Sequence, residues 1–376
     1  MALKAGLVGL PNVGKSTLFN ALTKSSIPAA NYPFCTVDPN LAITNVPDHR
    51  LLDLFKAFKS QKIIPATMQF VDIAGLVKGA STGEGLGNQF LGHIMDTHLI
   101  LHVMRCFEDE EITHVHNKVD PLSDFETIST ELMLKDLESV QKREERVLGF
   151  LKSAKTKNAT PAQVKEWETE RDFITQLKAA LEAGDLTAVQ RIGQEVAAAG
   201  IITLPLISSK NFLLIANVSE DDYVGATYKD NKHYQALVQK FGADKVIAVS
   251  AKIESELAQM TDEEATEIME SLGITEKGLN SIIARAYQNL GLMTFFTCGP
   301  KEIHAWSIRK NTPVPKAAGE IHSDLERGFI CAEVYNYKDI MEAGSEQKVK
   351  EIGKLRTEGK EYIVQDGDLL NIRFNV

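Results

Sequence analysis

The chain has no long hydrophobic run and no cysteine pairing pattern. Nowhere in its 376 residues do about 18 consecutive apolar residues occur, the length that marks a membrane-spanning helix, so the sequence predicts no membrane contact. Its four cysteines, Cys35, Cys106, Cys298 and Cys331, are widely scattered and form no CxxC pair. We therefore expect free thiols in a reducing compartment rather than a disulfide framework or a zinc site.

The sequence also lacks an excess of positive charge. It has 41 lysines and arginines against 51 aspartates and glutamates, a net charge of −10. This balance argues against a protein that binds nucleic acid over its whole surface. We expect no DNA partner, and any RNA contact must be local. The N-terminus carries no secretory signal pattern, so we expect a cytoplasmic protein.

What is present is the composition of an ordinary folded protein, with 44% hydrophobic and 24% charged residues. Five short apolar runs have the character of buried strands and alternate with stretches of helical periodicity. They are residues 5–10, 68–72, 98–104, 212–216 and 245–249. The pattern predicts an α/β fold with a largely parallel sheet, and ligands are expected outside the carboxyl ends of its strands.

A helical segment of different composition occupies residues 126–200. It is rich in Leu, Lys, Glu, Gln and Ala, and its apolar residues recur mostly at three-to-four or seven-residue intervals. A turn before Pro161 divides it, and Thr160 is a candidate N-cap. We predict two antiparallel helices that form a projecting coiled-coil arm. Helices packed on the sheet are the alternative.

The C-terminal part, residues 281–376, has glycines and prolines between short mixed stretches, which predicts a separate α+β module. Its end alternates around an Asp-Gly turn, as hairpins do. A local basic patch lies at residues 348–360 and either contacts RNA or is an ordinary solvated face. Its basic residues are Lys348, Lys350, Lys354, Arg356 and Lys360, against Glu351 and Glu358.

The strongest motif follows the first predicted strand. Residues 9–16 read GLPNVGKS and satisfy GxxxxGKS, a phosphate-binding loop, between a predicted strand and a predicted helix. The backbone would cradle a polyphosphate, Lys15 would pair with its β/γ oxygens, and the Ser16 hydroxyl would ligate Mg²⁺. The predicted nucleotide-binding residues here are Asn12, Val13, Gly14, Lys15, Ser16 and Thr17.

Further polar residues follow the later strands. Asp72 begins the sequence DIAG; its carboxylate would face the metal shell, and the Gly75 N–H could sense a γ-phosphate. Thr36 is a candidate second Mg²⁺ ligand. The last two runs are followed by NVSE and SAK, which fit a base-recognition loop and a loop that flanks the base. Their predicted nucleotide contacts are Asn217, Val218 and Glu220, and Ser250, Ala251 and Lys252.

With these motifs the chain resembles TRAFAC-class P-loop GTPases, and within them closely the YchF, or Obg-like ATPase, family. The resemblance covers essentially the whole chain, through GLPNVGKST, NYPFCTVDPN, DIAGLVKGASTGEGLGNQFL, NVSE and SAK. It implies a Ras-like G domain at 1–125 and 201–280, a coiled-coil arm at 126–200 and a β-grasp TGS domain at 281–376. It also implies hydrolysis of ATP in preference to GTP.

The base-recognition motif departs from the NKxD of most relatives, whose Asp accepts two hydrogen bonds from guanine. Here Lys becomes Val218 and Asp becomes Glu220, whose extra methylene shifts the carboxylate. Asn217 could still pair with N6 and N7 of adenine. Adenine becomes admissible, whereas the preference for ATP rests on the family resemblance, with GTP as the weaker ligand.

The residue directly after Gly75, where many GTPases carry a water-orienting Gln, is Leu76. An alkyl side chain cannot orient water, so another group must do so. His114 and His116 offer proton-transfer chemistry. The resemblance selects His114, the family's proposed catalytic histidine, and a solvent-exposed loop histidine is the alternative. No arginine finger is evident, so intrinsic turnover should be slow.

Two other histidines, His98 and His102, are four residues apart. That spacing on a helix would suggest a metal site, but the pattern places them in a strand, where a structural role is expected.

Three functions fit these observations. The first is an enzymatic switch in which Mg·ATP orders the loops around Thr36 and Gly75 and hydrolysis releases them. The second is a binding module that docks on ribosome or ribosomal RNA through the TGS domain and the arm, with nucleotide setting only the affinity. The third, a regular GTPase, is opposed only by the base-motif departure.

Overall fold

Two six-stranded sheets and a group of helices make up the part of the chain that this computed structural model describes. The described residues are 3–25, 40–73, 94–115, 118–154, 156, 158–200 and 204–375. Several residues named above lie outside them: Cys35, Thr36, Gly75, Leu76 and His116.

Strands and helices alternate along most of the chain. The described strands are β1 (Lys4–Val8), β2 (Leu41–Asn45), β3 (Lys62–Ile64), β4 (Thr67–Asp72), β5 (Leu99–Arg105), β6 (Asn211–Asn217), β7 (Val246–Val249), β8 (Leu292–Cys298), β9 (Glu302–Arg309), β10 (Phe329–Asn336), β11 (Arg356–Glu358) and β12 (Asp368–Phe374). The described helices are α1 (Lys15–Lys24), α2 (Arg50–Phe58), α3 (Pro121–Ser153), α4 (Pro161–Glu182), α5 (Leu186–Ala199), α6 (Glu220–Val224), α7 (Lys232–Phe241), α8 (Ala251–Leu257), α9 (Asp262–Ser271), α10 (Gly278–Asn289), α11 (Val314–Ile321), α12 (Ser323–Arg327), α13 (Tyr337–Ala343) and α14 (Glu346–Glu351). Of these helices, none has the length and apolar character needed to cross a membrane.

The first sheet has the strand order β2-β4-β1-β5-β6-β7. Its neighbouring strands are parallel, except that the edge strand β2 runs antiparallel to β4. The five apolar runs form the parallel strands, and β5 is buried at every position, as expected of a strand covered on both faces. The predicted α/β fold is confirmed, and the carboxyl ends of the five strands lie at one edge of the sheet.

The helical segment contains three helices, α3, α4 and α5, where the sequence predicted two. Thr160 is the N-cap of α4 and forms a capping box with Gln163, which confirms the predicted cap. The unpredicted helix α5 begins at the N-cap Asp185, and its apolar face closes a core that two helices alone would leave open. Buried members of this core include Val140, Val147, Ile174, Leu177, Val189 and Ile192.

The first turns of α3 pack against the first sheet rather than within that helical core. Phe125, Ile128 and Leu132 are buried in the core of the first sheet, and α3 already begins at Pro121. Farther along, the Asp136 carboxylate accepts hydrogen bonds from Ser208 N at 2.7 Å and Ser208 Oγ at 2.5 Å. These contacts hold the base of the helical segment against the segment that leads into β6.

The second sheet has the order β11-β10-β12-β8-β9-β3 and carries α11 on one face, so the predicted α+β character of the C-terminal part is confirmed. The module is not built from that part alone, because its edge strand β3 comes from early in the chain. The alternating residues on the two sides of the Asp-Gly turn do not pair with each other. The final strand β12 pairs instead with β10, antiparallel, and with β8, parallel. The turn is drawn towards β8, because Thr294 N donates to Asp366 Oδ1 at 3.0 Å and Gly367 N donates to Thr294 O at 2.8 Å.

The two sheets are joined by residues that lie early in the chain. Strand β3 pairs in parallel with β9 at the edge of the second sheet. In α2, Arg50 binds Asp48 and Asp366, both at 2.7 Å, and its guanidinium carbon lies 5.0 Å from the centre of the Phe296 ring. The Tyr337 hydroxyl donates to Asp53 at 2.6 Å. The C-terminal module is therefore attached to the first sheet through both strand pairing and side chains.

His102 lies in β5 and is part of the core, with ring-centre distances of 4.9 Å to Phe125 and 5.7 Å to Phe212. Its burial lowers the pKa of the imidazole from 6.5 to about 3. The His98 Nδ1 accepts a hydrogen bond from Lys4 N at 3.3 Å. Both histidines thus have structural contacts in the first sheet.

We expect His102 to make the protein sensitive to acid. The imidazole stays neutral in the folded chain down to about pH 3, whereas the unfolded chain takes up a proton below 6.5. The contribution of His102 to the free energy of unfolding is therefore constant above pH 6.5 and declines as the pH falls towards 3. Between pH 7 and pH 5, the free energy of unfolding measured in urea should fall by about 2 kcal/mol more for wild type than for His102→Leu. His322→Leu, at an exposed position, is the control. Equal losses in wild type and His102→Leu would contradict this assignment.

Candidate nucleotide site

The phosphate-binding loop connects β1 to α1 in a conformation that depends on glycine. Gly14 has a φ of 93°, in the left-handed region that glycine adopts without strain. A Cβ atom at this position would also collide with Asn217 Nδ2. Helix α1 follows directly, and no side chain caps its N-terminus. Its first N–H groups are therefore available to an anion.

Lys15 and Asp72 are brought together by the order of the strands. Lys15 begins α1 after β1, and Asp72 ends the neighbouring parallel strand β4. The Lys15 Nζ donates to Asp72 Oδ1, and the lysine is buried. Ser16 and Thr17, at the start of α1, are exposed. An ammonium and a carboxylate thus meet at the carboxyl edge of the first sheet, and an exposed serine is the next residue along the chain.

The Asn217 side chain joins three of the loops at this edge. Its Nδ2 donates to Val13 O at 3.0 Å, and its Oδ1 accepts from Ala251 N at 2.9 Å. The side chain is buried, with 4% of the residue exposed. These contacts use one donor and one acceptor position of the amide, which has two of each, so the amide retains capacity for a base.

Glu220 and Lys252 form an ion pair beside Asn217. Ser219 caps α6 through a hydrogen bond from Asp222 N, so that Glu220 is the first residue of this helix. Lys252 Nζ lies 2.6 Å from Glu220 Oε2. This hydrogen-bonded carboxylate raises the pKa of Lys252, and both side chains remain accessible to solvent.

Four further predicted nucleotide contacts are also buried in this structure. Val13, Val218, Ser250 and Ala251 are each no more than 3% exposed. Val218 N donates to Val249 O at 2.9 Å, which continues the pairing of β6 with β7. The side chains of these four residues therefore pack within the loops, and the predicted nucleotide contact of Val218 stays a prediction.

His114 lies in a loop that follows β5 and touches the phosphate-binding loop. The Asn12 Nδ2 donates to Thr113 O at 3.1 Å. His114 is 5% exposed, and its Nε2 lies 3.0 Å from Asp124 Oδ2 in the first turn of α3. The alternative of a solvent-exposed loop histidine is therefore wrong. The sequence analysis missed Asp124, because a partner ten residues away across a loop follows no helical or strand period.

Arg105, at the end of β5, was also missed as a residue of this region. It is 1% exposed and donates three hydrogen bonds to main-chain carbonyl oxygens of the His114 loop. The signal available in the sequence was an arginine directly after an apolar run that is predicted to be a buried parallel strand. The next residue, Cys106, is a free thiol whose pKa is raised by burial, so it stays protonated.

Two family models match the chain, one over its N-terminal part and one over its C-terminal part. Residues 4–142 match a family described as 50S ribosome-binding GTPase. Residues 292–375 match the C-terminal family of YchF GTPases, described as a protein of unknown function.

Relatives match over the full length. The chain is 48% identical to the Ribosome-binding ATPase YchF of Bacillus subtilis (strain 168), and the alignment covers 100% of both chains. The chain belongs to the YchF family. It is also 45% identical to Obg-like ATPase 1 of Oryza sativa subsp. japonica, over 100% of this chain and 92% of that protein. The predicted family is confirmed.

A solved structure supports the same family assignment. The Schizosaccharomyces pombe YchF GTPase matches with a TM-score of 0.83 and 36% identity, over 99% of this chain and 97% of the other. The P-loop GTPase fold with a helical segment and a C-terminal sheet module is therefore that of a YchF protein.

Proposed function

We propose that this YchF protein is a ribosome-associated switch that binds ATP and hydrolyses it slowly to ADP and phosphate. The observation that carries the proposal is the meeting of Lys15 and Asp72 at the uncapped N-terminus of α1. The helix N-terminus and the lysine suit a polyphosphate. In this structure the ammonium is neutralised by Asp72, and a bound phosphate would take over that contact.

The donor atoms at this edge fit Mg²⁺, which prefers hard oxygen ligands. The Ser16 hydroxyl and the Asp72 carboxylate would hold the ion, and the predicted second ligand Thr36 lies outside the described residues. Bound there, Mg²⁺ would neutralise charge on the β- and γ-phosphate oxygens. The proposed contact of the Gly75 N–H with the γ-phosphate likewise lies outside the described residues.

The base loop supports adenine as the preferred base. One oxygen of the Glu220 carboxylate is engaged by Lys252 at 2.6 Å. A carboxylate held in this way is a poorer acceptor for the two donors of guanine, which an Asp in the NKxD motif would bind together. Asn217 retains one donor and one acceptor position, which suit N6 and N7 of adenine. GTP would then bind more weakly, because this carboxylate is a poorer acceptor for its N1–H and N2–H₂ groups.

His114 is proposed as the group that acts on the attacking water. The proposal is supported by the hydrogen bond from Asn12 of the phosphate-binding loop to Thr113 O, next to His114 in the chain. The imidazole also contacts the Asp124 carboxylate. In the proposed step, the imidazole would accept the proton of the attacking water.

Association with the ribosome is proposed from relatives such as the Bacillus subtilis protein, which is named a ribosome-binding ATPase. The arm and the C-terminal module would supply the contact, and the protein would act in the cytoplasm. Within the basic patch, Lys348 and Lys350 lie exposed on α14, while Lys354 and Arg356 lie near acidic side chains. A role in which nucleotide only sets ribosome affinity is the second candidate, and it differs in needing no turnover.

We expect isothermal titration calorimetry on nucleotide-free protein with Mg²⁺ to show tighter binding of ATP than of GTP. Glu220→Asp shortens the side chain and restores the Asp of NKxD, so its preference should shift towards GTP. Glu256→Asp, the same change on a neighbouring exposed residue of α8, is the control and should leave the ratio unchanged. A clear preference of wild type for GTP would refute the proposed base specificity.

We expect His114→Ala to slow single-turnover ATP hydrolysis by about 100-fold, the usual contribution of one acid–base group. The affinity for ATP should stay within about twofold, because the histidine is not proposed to bind the ground-state nucleotide. His114→Gln tests the same point with a polar replacement, and His322→Ala is the control. Wild-type turnover in both His114 variants would exclude this residue as the catalytic group.

We expect the double reversal Lys348→Glu and Lys350→Glu to weaken co-sedimentation with ribosomes, because two attractive charges become repulsive towards phosphate. ATP affinity should not change. The control is the double reversal Lys301→Glu and Lys310→Glu, which alters net charge equally at exposed positions of the same module. Unchanged ribosome binding in the first variant would assign the patch to an ordinary solvated face.

A further inference from the structure

We propose that Arg105 is a positioning residue for ATP hydrolysis: its guanidinium organises the loop that carries His114 and thereby sets the rate of the chemical step. The inference rests on the proposed catalytic role of His114. It assigns a role to a buried cation that lies outside the phosphate and base loops.

Arg105 is one of the largest fully buried side chains among the residues that the structure describes. Its Nε donates to Phe107 O at 3.1 Å, its Nη2 to Asp109 O at 3.0 Å, and its Nη1 to Ile112 O at 2.9 Å. The partners are spread over six residues of one loop. All three nitrogens of the guanidinium are therefore used to bend that loop around the end of β5.

A buried cation must be compensated by its surroundings. Here the carbonyl dipoles supply that compensation, together with the Phe107 ring, whose centre lies 4.6 Å from the guanidinium carbon. The cation and the loop are thus each stabilised by the other.

The contacts of three consecutive loop residues, Ile112, Thr113 and His114, connect Arg105 to the proposed catalytic histidine. Ile112 O accepts from Arg105, Thr113 O accepts from Asn12 of the phosphate-binding loop, and His114 Nε2 meets Asp124 of α3. Three consecutive residues are held by three different elements. Without the Arg105 contact, the segment that leads into His114 would lose its attachment to β5.

Lysine cannot replace this arginine. A guanidinium directs its donors into a fixed planar fork, whereas an ammonium is a point charge on a flexible stem. Arg105→Lys would keep the charge but could not reach the three carbonyl oxygens together. Phe107→Leu is a milder change that leaves the hydrogen-bonding atoms in place and removes only the ring beside the guanidinium.

The experiment compares single-turnover ATP hydrolysis and ATP affinity in the full-length protein. We expect Arg105→Lys to lower the hydrolysis rate by up to about 100-fold, the cost of a misplaced catalytic group, and Phe107→Leu to lower it less. ATP affinity should stay within about twofold of wild type in both. Arg285→Lys is the matched control, because Arg285 also donates to two carbonyl oxygens, those of Ala243 and Val246.

A double-mutant cycle with His114→Ala separates positioning from a general loss of structure. If Arg105 acts through His114, adding Arg105→Lys to His114→Ala should change the rate by no more than about twofold. Should Arg105→Lys fail to fold, the same cycle is run with Phe107→Leu. An equal rate loss in both backgrounds, an unchanged rate in the single variants, or a parallel loss of ATP affinity would overturn the inference.

The same data distinguish this inference from the proposed function. Wild-type turnover in His114→Ala would refute the catalytic assignment of His114 and the role of Arg105 with it. A slow His114→Ala together with full turnover in Arg105→Lys and Phe107→Leu would refute only the role of Arg105.

Discussion

The nucleotide site depends on the side-chain amide of Asn217. One end of the amide binds the phosphate-binding loop at Val13, and the other binds Ala251 at the start of α8. It thereby holds the loops after β1, β6 and β7 at one edge of the sheet. A buried donor or acceptor that loses its partner costs about 1–3 kcal/mol, so these loops are coupled energetically. The amide also leaves no room for a side chain at Gly14, and this makes the glycine of the motif a packing requirement as well as a conformational one.

Helix α3 connects this edge of the sheet to the helical segment. Its first turns pack in the core of the first sheet, Asp124 holds His114, and Asp136 holds the segment that leads into β6. Beyond these residues the helix enters a separate core with α4 and α5. The same helix therefore contacts the core of the first sheet, the loop that carries His114 and the core of the helical segment.

Much of the fold and part of the site could be predicted because their signals are local. Five buried strands follow from apolar runs of strand length, the cap of α4 from Thr160 before a proline, and the phosphate-binding loop from a motif placed between strand and helix. Parallel pairing then predicts that Asp72 and Asn217 meet the phosphate-binding loop, since strand ends of a parallel sheet share an edge. The third helix α5 was missed because it is stabilised by packing against α3 and α4, and that contact is not visible in the local sequence.

The sequence by itself determined the family, the α/β architecture and the residues of the phosphate-binding loop, because each depends on neighbours along the chain. The tertiary structure alone decided which partners the buried polar groups find. It paired His114 with Asp124, turned Glu220 towards Lys252, and surrounded Arg105 with carbonyl oxygens. It also placed β3 at the edge of the C-terminal sheet and β12 between β8 and β10. Such contacts satisfy the hydrogen-bonding needs of groups removed from water, and the partner is whichever group the packed fold brings within reach.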